Sequence, residues 1–427
     1  MHKKFSRNFM SAFIIQGLGA FLILLADIFA ARIMGIDDYG LFSSIIAVVA
    51  ILSLFGTAGL NQALLRYIPS YLATKKPSEL VGIIRFSKLG SLLISISVTG
   101  SAAGLFYLID SKYRDSYAIL LVGLLAVPFN VQSSICQSVI RSLDRVGLGL
   151  FPEFIFRPLF FIGTLIYLQS SLAWTDAGHV VTIYSLAAAL TFLLALGLQL
   201  KSVKTSAKIQ PTYHVREWMG TAGSLLMMIG FGLIASRLAV VVLAMGADSR
   251  AVGLFSAASK ISDAVAFPLV VVVSASVHMI SSLYSQNKTA ELQSVIDMTL
   301  RRITLISVPF ALIILFFGKV MLNLFGKGFS DAYGCLLVLT LGQLVNALVG
   351  PVGYLMTMSG NHLSAAKVLA FASLFNLILC VLLIPTYSSM GAALAVSFSN
   401  ILTNLLMLRL VKSRVSINPS FIKSFLK

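Results

Sequence analysis

The chain has 427 residues, of which 58% are hydrophobic and only 11% are charged. Soluble domains average ~45–50% apolar and ~25% charged residues, so this composition excludes an ordinary soluble protein and predicts a polytopic membrane protein. Lys and Arg outnumber Asp and Glu by 32 to 15, an excess that in a soluble chain would suggest nucleic acid. In a membrane protein, the first question is on which side of the bilayer these basic residues lie.

A helix that crosses a bilayer needs ~20 mostly apolar residues, because unpaired backbone groups are costly in hydrocarbon. Twelve such runs follow one another along the sequence. The first is too long for a signal peptide and predicts an uncleaved span. The approximate ranges are 9–34, 40–61, 84–109, 116–140, 150–169, 178–200, 218–245, 253–279, 303–325, 332–358, 364–384 and 389–411.

The distribution of basic residues predicts the orientation. With the N-terminus inside, inner segments hold 24 of the 32 Lys and Arg residues, outer segments hold six, and two lie within spans. This asymmetry predicts a multi-pass protein of the cytoplasmic (inner) membrane with both termini cytoplasmic, and no nucleic-acid partner. The longest inner connections, 62–83, 201–217 and 280–302, leave no room for a soluble catalytic domain, so we do not expect an enzyme.

The inner connection at 280–302 has a helical apolar pattern. Leu292, Ile296, Leu300 and Ile303 recur at helical spacing, which predicts an amphipathic helix lying in the membrane interface. A plain solvated linker is the alternative.

The two halves of the chain carry matching segments. Met34-Gly35-Ile36-Asp37 matches Met245-Gly246-Ala247-Asp248, an offset of 211 residues (245 against 34). Gly40-Leu41-Phe42-Ser43 matches Gly253-Leu254-Phe255-Ser256, an offset of 213 (253 against 40). Six spans per half is an even number, so both halves have the same orientation and form a parallel repeat about a pseudo-twofold axis.

The predicted fold class is therefore an all-α polytopic membrane protein with about 12 transmembrane helices in two six-helix lobes. Residues 1–200 form the N-terminal lobe and 201–217 a cytoplasmic linker. Residues 218–411 form the C-terminal lobe, and 412–427 a basic cytoplasmic tail.

Three motifs carry a family resemblance. Residues 31–35 and 37–43, which end span 1 and open span 2, resemble the opening motif of polysaccharide-transport flippases. These are the O-antigen and oligosaccharide flippases of the multidrug/oligosaccharidyl-lipid/polysaccharide exporter superfamily. Leu65–Ile68 and Ile140–Val146 are similar to two further motifs of that family, whereas Met34 departs from it by standing where Leu is usual.

The resemblance implies translocation of an undecaprenyl-pyrophosphate-linked oligosaccharide from the inner to the outer leaflet, by alternating access between two lobes. The implied partners are this lipid-linked oligosaccharide and the lipid bilayer. Polysaccharide polymerase and chain-length machinery of lipopolysaccharide synthesis are candidate partners. We expect no cofactor, while coupling to a proton or sodium gradient stays open. The alternatives are a cation-coupled multidrug or toxin exporter of the same superfamily, and a polytopic polysaccharide polymerase or ligase.

Four ionisable residues lie inside the predicted spans: Asp27, Arg237, Lys260 and Asp263. Each costs at least ~2.5–3.5 kcal/mol in hydrocarbon, so each needs a partner, water or a function. At ~1.5 Å of rise per residue, all four lie about 10–15 Å below the outer ends of their helices. The functional interpretation is a substrate path in which the two cations meet an anionic headgroup and a carboxylate carries a coupling proton. The alternative is a structural ion-pair network, because Lys260 and Asp263 are spaced i, i+3.

Arg66, Arg141 and Arg145 lie at the inner ends of spans 2 and 4. The planar guanidinium group suits a pyrophosphate, so these residues are also candidates for the substrate path. Anchoring by the positive-inside rule is the alternative. The i, i+4 pair Glu153 and Arg157 is interpreted as structural. No metal site is predicted, because the cysteines lie in apolar runs and the histidines are scattered.

Overall fold

The computed structural model of the chain describes residues 2–109, 114–172, 176–203, 209–246, 248–286, 288–359, 361–415 and 417, and the regular structure in these ranges is entirely helical. The first half contains α1 (His2–Thr57), α2 (Leu60–Ala73), α3 (Pro77–Ile109), α4 (Arg114–Leu124), α5 (Ala126–Ser142), α6 (Val146–Phe151), a π-helix (Pro152–Phe156), α7 (Arg157–Leu172) and α8 (Ala177–Ser202). The second half contains α9 (Val215–Gly246), α10 (Ser249–Ser285), α11 (Thr289–Asn323), a 3₁₀ helix (Phe329–Ala332), α12 (Tyr333–Val349), α13 (Val352–Met358) and α14 (His362–Arg414).

The number of membrane-spanning segments agrees with the sequence prediction. Among the described residues, nine helices are long and apolar enough to cross a membrane, and the bent pair Val215–Met227 and Gly230–Gly246 adds a tenth. Two of the nine, α1 and α14, are each divided by one non-helical residue, Gly35 and Ser388 respectively. Dividing these two gives twelve apolar segments in the described part of the chain. The predicted all-α polytopic fold is confirmed.

Gly35 separates the first two spans with a single residue. Its backbone has φ 77° and ψ −177°, a conformation that side chains with a Cβ rarely adopt. A Cβ added there would meet nothing within 4 Å, so the dihedral angle rather than crowding requires glycine. The sequence predicted a connection of five residues, 35–39, between spans 1 and 2. In the structure the helix resumes at Ile36, so the connection is the single residue Gly35.

The chain divides into two compact units. Unit 1 comprises Met1–Met34 and Ile45–Ile229, and unit 2 comprises Gly35–Ser44 and Gly230–Lys427. Residues 215–229 of α9 are therefore grouped with unit 1. The lobe boundaries expected from the sequence (1–200, 201–217, 218–411 and 412–427) stay a prediction.

In unit 1, the short helix α2 packs its apolar face on the surrounding helices. Leu64, Ile68 and Tyr71 are buried in a cluster that also contains Trp218 from the beginning of α9. The indole Nε1 of Trp218 donates a hydrogen bond to the Tyr71 hydroxyl at 2.9 Å. Burial raises the pKa of this hydroxyl, so it stays protonated. The segment before α9 is held against the start of α3, because the Thr212 amide donates to the Ser78 carbonyl at 3.1 Å.

In unit 2, the predicted interfacial helix at 280–302 is wrong. The apolar stripe Leu292, Ile296 and Leu300 lies on α11, which continues without a break from Thr289 to Asn323. The stripe is buried against α13 and α14, including Met356 and Val411. The predicted helix is present, but its apolar face packs on protein. The alternative of a solvated linker is equally wrong.

Candidate functional site

Two side-chain hydrogen bonds connect Asn346, Gln343 and Asp263 in unit 2. The amide Nε2 of Gln343 on α12 donates to the Asp263 carboxylate on α10 at 2.9 Å. Asn346, one turn further along α12, donates to the Gln343 side-chain oxygen at 3.4 Å. Asp263 is fourteen residues after the first residue of α10, about 21 Å along the helix at ~1.5 Å per residue. The carboxylate therefore lies well inside a spanning segment.

Two cations accompany this carboxylate. Lys260 precedes Asp263 by one turn of α10, and Arg237 comes from α9. Both positive charges are close enough to attract the Asp263 carboxylate. Within unit 2, the structure thus brings together three of the four in-span charges predicted from the sequence. The cluster carries two positive charges and one negative charge, a net charge of +1.

The fourth in-span charge, Asp27, lies on α1 in unit 1 and is half-buried. Its predicted place in one layer with Arg237, Lys260 and Asp263 stays a prediction.

The three arginines predicted at the inner ends of the spans belong to unit 1 and differ in environment. Arg66 on α2 is exposed, with its guanidinium carbon 5.7 Å from the centre of the Tyr67 ring. Arg145 is exposed and donates to the Ser202 hydroxyl at 3.3 Å. Arg141 is half-buried on α5, and its Nε is buried with no hydrogen-bond partner among the residues that the structure describes. Their predicted contact with a pyrophosphate is not tested by this geometry.

A half-buried ion pair lies in unit 1, beside the π-helix. Arg157 donates to the Glu153 carboxylate at 2.7 Å, and its side chain is only 12% exposed. The guanidinium carbon also lies 4.5 Å from the centre of the Tyr184 ring on α8, which is a cation–π contact. The sequence spacing indicated the pair. It gave no sign of Tyr184 or of the π-helix, because neither follows from a spacing pattern.

Sequence reasoning also missed the partner of Asp263. Gln343 and Asn346 were visible as polar residues in an apolar run, but many amides recur in the spans of this chain. Among the described residues, no group of three His, Cys, Asp or Glu side chains is arranged to hold a metal ion.

Fold and site together define an all-α, multi-pass membrane protein with a charged, hydrogen-bonded cluster inside its spans. Residues 5–145 match the family model described as "Polysaccharide biosynthesis protein". The chain is 25% identical over 414 residues to the probable low-salt glycan biosynthesis flippase Agl15 of Haloferax volcanii, covering 96% of this chain and 84% of that protein.

Two solved structures have the same fold. The lipid II flippase MurJ in an inward closed conformation superposes with a TM-score of 0.74 at 17% identity, covering 97% of this chain and 88% of that one. The inward-facing conformation of a multidrug resistance MATE family transporter of the MOP superfamily gives 0.75 at 13% identity, covering 93% and 94%. The resemblance to polysaccharide-transport flippases of this superfamily, predicted from the sequence, is confirmed.

Proposed function

We propose that this chain is a flippase that moves a lipid-linked glycan across the bilayer. The observation that carries the proposal is the cluster of Arg237, Lys260 and Asp263 in unit 2. Its net charge of +1 suits an anionic headgroup, whereas the apolar helices around it suit a lipid tail. Similarity to a glycan flippase over nearly the whole chain supports the same conclusion.

The finer proposal is an undecaprenyl-pyrophosphate-linked oligosaccharide, such as an O-antigen unit, moved from the inner to the outer leaflet of the cytoplasmic membrane by alternating access. Arg237 is the residue best suited to a phosphate, because its planar guanidinium group donates two parallel hydrogen bonds. Lys260 adds a positive charge, and Asp263 holds both cations in place when no substrate is bound. Both termini are proposed to be cytoplasmic, as the distribution of basic residues indicates.

A drug exporter of the same superfamily is the competing function. Likeness to MATE transporters at 13% identity shows the fold alone. A cationic drug favours a site with net negative charge, whereas the cluster in unit 2 carries two cations and one carboxylate.

Deletion of the gene in its own organism tests the proposal. We expect the lipid-linked oligosaccharide to accumulate in the inner leaflet, where membrane-impermeant periodate added to intact cells does not oxidise it. The wild-type chain should restore its oxidation, and the Arg237→Ala variant should not.

Lys319→Ala is the matched control, because it also removes a cation but not one of the cluster. The Nζ of Lys319 lies 5.3 Å from the centre of the Tyr333 ring. It should restore oxidation as well as the wild type does. An unchanged fraction of periodate-accessible glycan after deletion would contradict the proposed function.

A further inference from the structure

Two neutral amides extend from the Asp263 carboxylate. Gln343 and Asn346 lie about one helical turn apart on α12, and hydrogen bonds of 2.9 and 3.4 Å connect them in series to Asp263. These three side chains are called here the amide strip. Both helices that carry it are candidate membrane spans, Ser249–Val273 and Phe329–Val349. The amide strip therefore lies inside the membrane.

The amide strip has unused hydrogen-bonding capacity. A side-chain amide has two N–H donors and an oxygen with two lone pairs, and a carboxylate has about four lone-pair sites. Gln343 uses one donor on Asp263, and Asn346 uses one donor on Gln343. Within the described ranges, the side-chain oxygen of Asn346 accepts no hydrogen bond. The strip therefore presents acceptors and donors in alternation.

The amide strip is accessible. Asp263 is exposed, and Gln343 and Asn346 are half-buried. Lipid tails supply no hydrogen-bond partner, so open polar groups are costly against hydrocarbon. An exposed carboxylate inside a span indicates a water-filled cavity instead. A polar ligand that enters this cavity can replace the water on the strip.

Sugar hydroxyls fit such a surface. Each hydroxyl donates one hydrogen bond and accepts up to two, so neighbouring hydroxyls pair with alternating acceptors and donors. An ionised phosphate only accepts, and the Asp263 carboxylate would repel it. The cluster in unit 2 thus offers two chemically different surfaces. Arg237 and Lys260 suit phosphates, whereas the amide strip suits the neutral part of the same ligand.

We propose that the amide strip binds hydroxyls of the sugar attached to the pyrophosphate, so that Gln343 and Asn346 recognise the glycan. This inference rests on the proposed function and deepens it. Arg237 and Lys260 hold the phosphates next to Asp263, which brings the first sugar beside the strip. Once the phosphates neutralise the two cations, the carboxylate accepts hydrogen bonds from the sugar.

Competition between two lipids tests the sugar site. One is undecaprenyl-pyrophosphate-linked glucose, and the other is the methyl ester of undecaprenyl pyrophosphate, which has the same phosphate charge and no sugar. Both are mixed at equal concentration with the purified chain in detergent, and native mass spectrometry measures the occupancy of each lipid. We expect the wild type to prefer the glucosyl lipid at least about tenfold, the effect of one or two net hydrogen bonds.

Asn346→Leu and Gln343→Met remove the amides and keep every charge. Each variant should lower the preference to about twofold or less, while the methyl ester binds as it does to the wild type. Arg237→Ala should instead weaken binding of both lipids by a similar factor. Asn130→Leu is the matched control, because it removes a half-buried amide from a span of unit 1, on α5. It should leave the preference unchanged.

Equal occupancy of the two lipids on the wild-type chain would overturn the sugar site. An unchanged preference in both amide variants would overturn it too. Binding of neither lipid would contradict the proposed function as well. A chain that prefers the glucosyl lipid but flips neither lipid in vesicles would contradict the proposed function alone.

Discussion

Replacing Asp263 by Asn is expected to lower glycan flipping at least about tenfold, because it removes a negative charge that attracts Lys260 and Arg237 inside the spans. The substitution keeps the shape of the side chain and an oxygen that accepts from Gln343, so it isolates the loss of charge. The cluster then carries a net charge of +2 instead of +1. Flipping in reconstituted vesicles, at matched protein content, measures the effect.

Two further variants separate charge balance from a direct role in transport. Lys260→Met combined with Asp263→Asn restores the net charge of +1. If Asp263 only balances charge, this double variant should recover both membrane abundance and flipping. If it also acts in transport, abundance alone should recover. Gln343→Met, which removes the hydrogen-bond donor and leaves all charges, should cost only about 1 kcal/mol of stability.

Wild-type flipping by Asp263→Asn would show that the charge of Asp263 has no part in transport. Arg237→Lys supplies a complementary comparison, because it keeps the charge and loses the planar fork. It should retain partial activity, whereas Arg237→Ala should retain none.

Replacing Gly40 by Ala is expected to have the largest effect on stability. The added Cβ would lie 1.7 Å from the main-chain oxygen of Ser249, at the start of α10, and only a shift of the backbone relieves this clash. Overpacking of this kind costs about 1–3 kcal/mol and sometimes more, and we expect the upper end for a backbone obstacle. Thermal unfolding in detergent measures this loss of stability. Gly253→Ala should lower the unfolding temperature to a similar extent.

The matched control is Gly163→Ala on α7, where an added Cβ meets nothing within 4 Å. This variant should unfold at or slightly above the wild-type temperature, because Ala favours helix over Gly. Equal unfolding temperatures for Gly40→Ala and Gly163→Ala would show that α1 and α10 do not approach closely at Gly40.

The sequence predicted what depends on local pattern. Apolar run length indicated twelve spans, and short identical motifs indicated the repeat. Contacts between distant residues followed no such pattern. Asp263 and Gln343 are 80 residues apart, and their meeting depends on how α10 and α12 are rotated about their axes. The contact between Gly40 and the start of α10 depends likewise on where helices cross.

The predicted amphipathic connector illustrates a different limit. Leu292, Ile296 and Leu300 form an apolar stripe whether the opposite partner is a lipid headgroup region or another helix. Helical periodicity reports that a face is buried, but not what covers it. In the structure α13 and α14 cover it, so the segment is an extension of a spanning helix.

Reconstitution tests the central claim most directly. The purified chain is placed in vesicles containing a fluorescently labelled undecaprenyl-pyrophosphate-linked oligosaccharide, and membrane-impermeant dithionite is added outside. In empty vesicles the inner-leaflet probe stays protected. With the wild-type chain we predict that nearly all the probe is reduced, and that the protected fraction returns with Arg237→Ala. A protected fraction that stays the same with and without the wild-type chain would contradict the account.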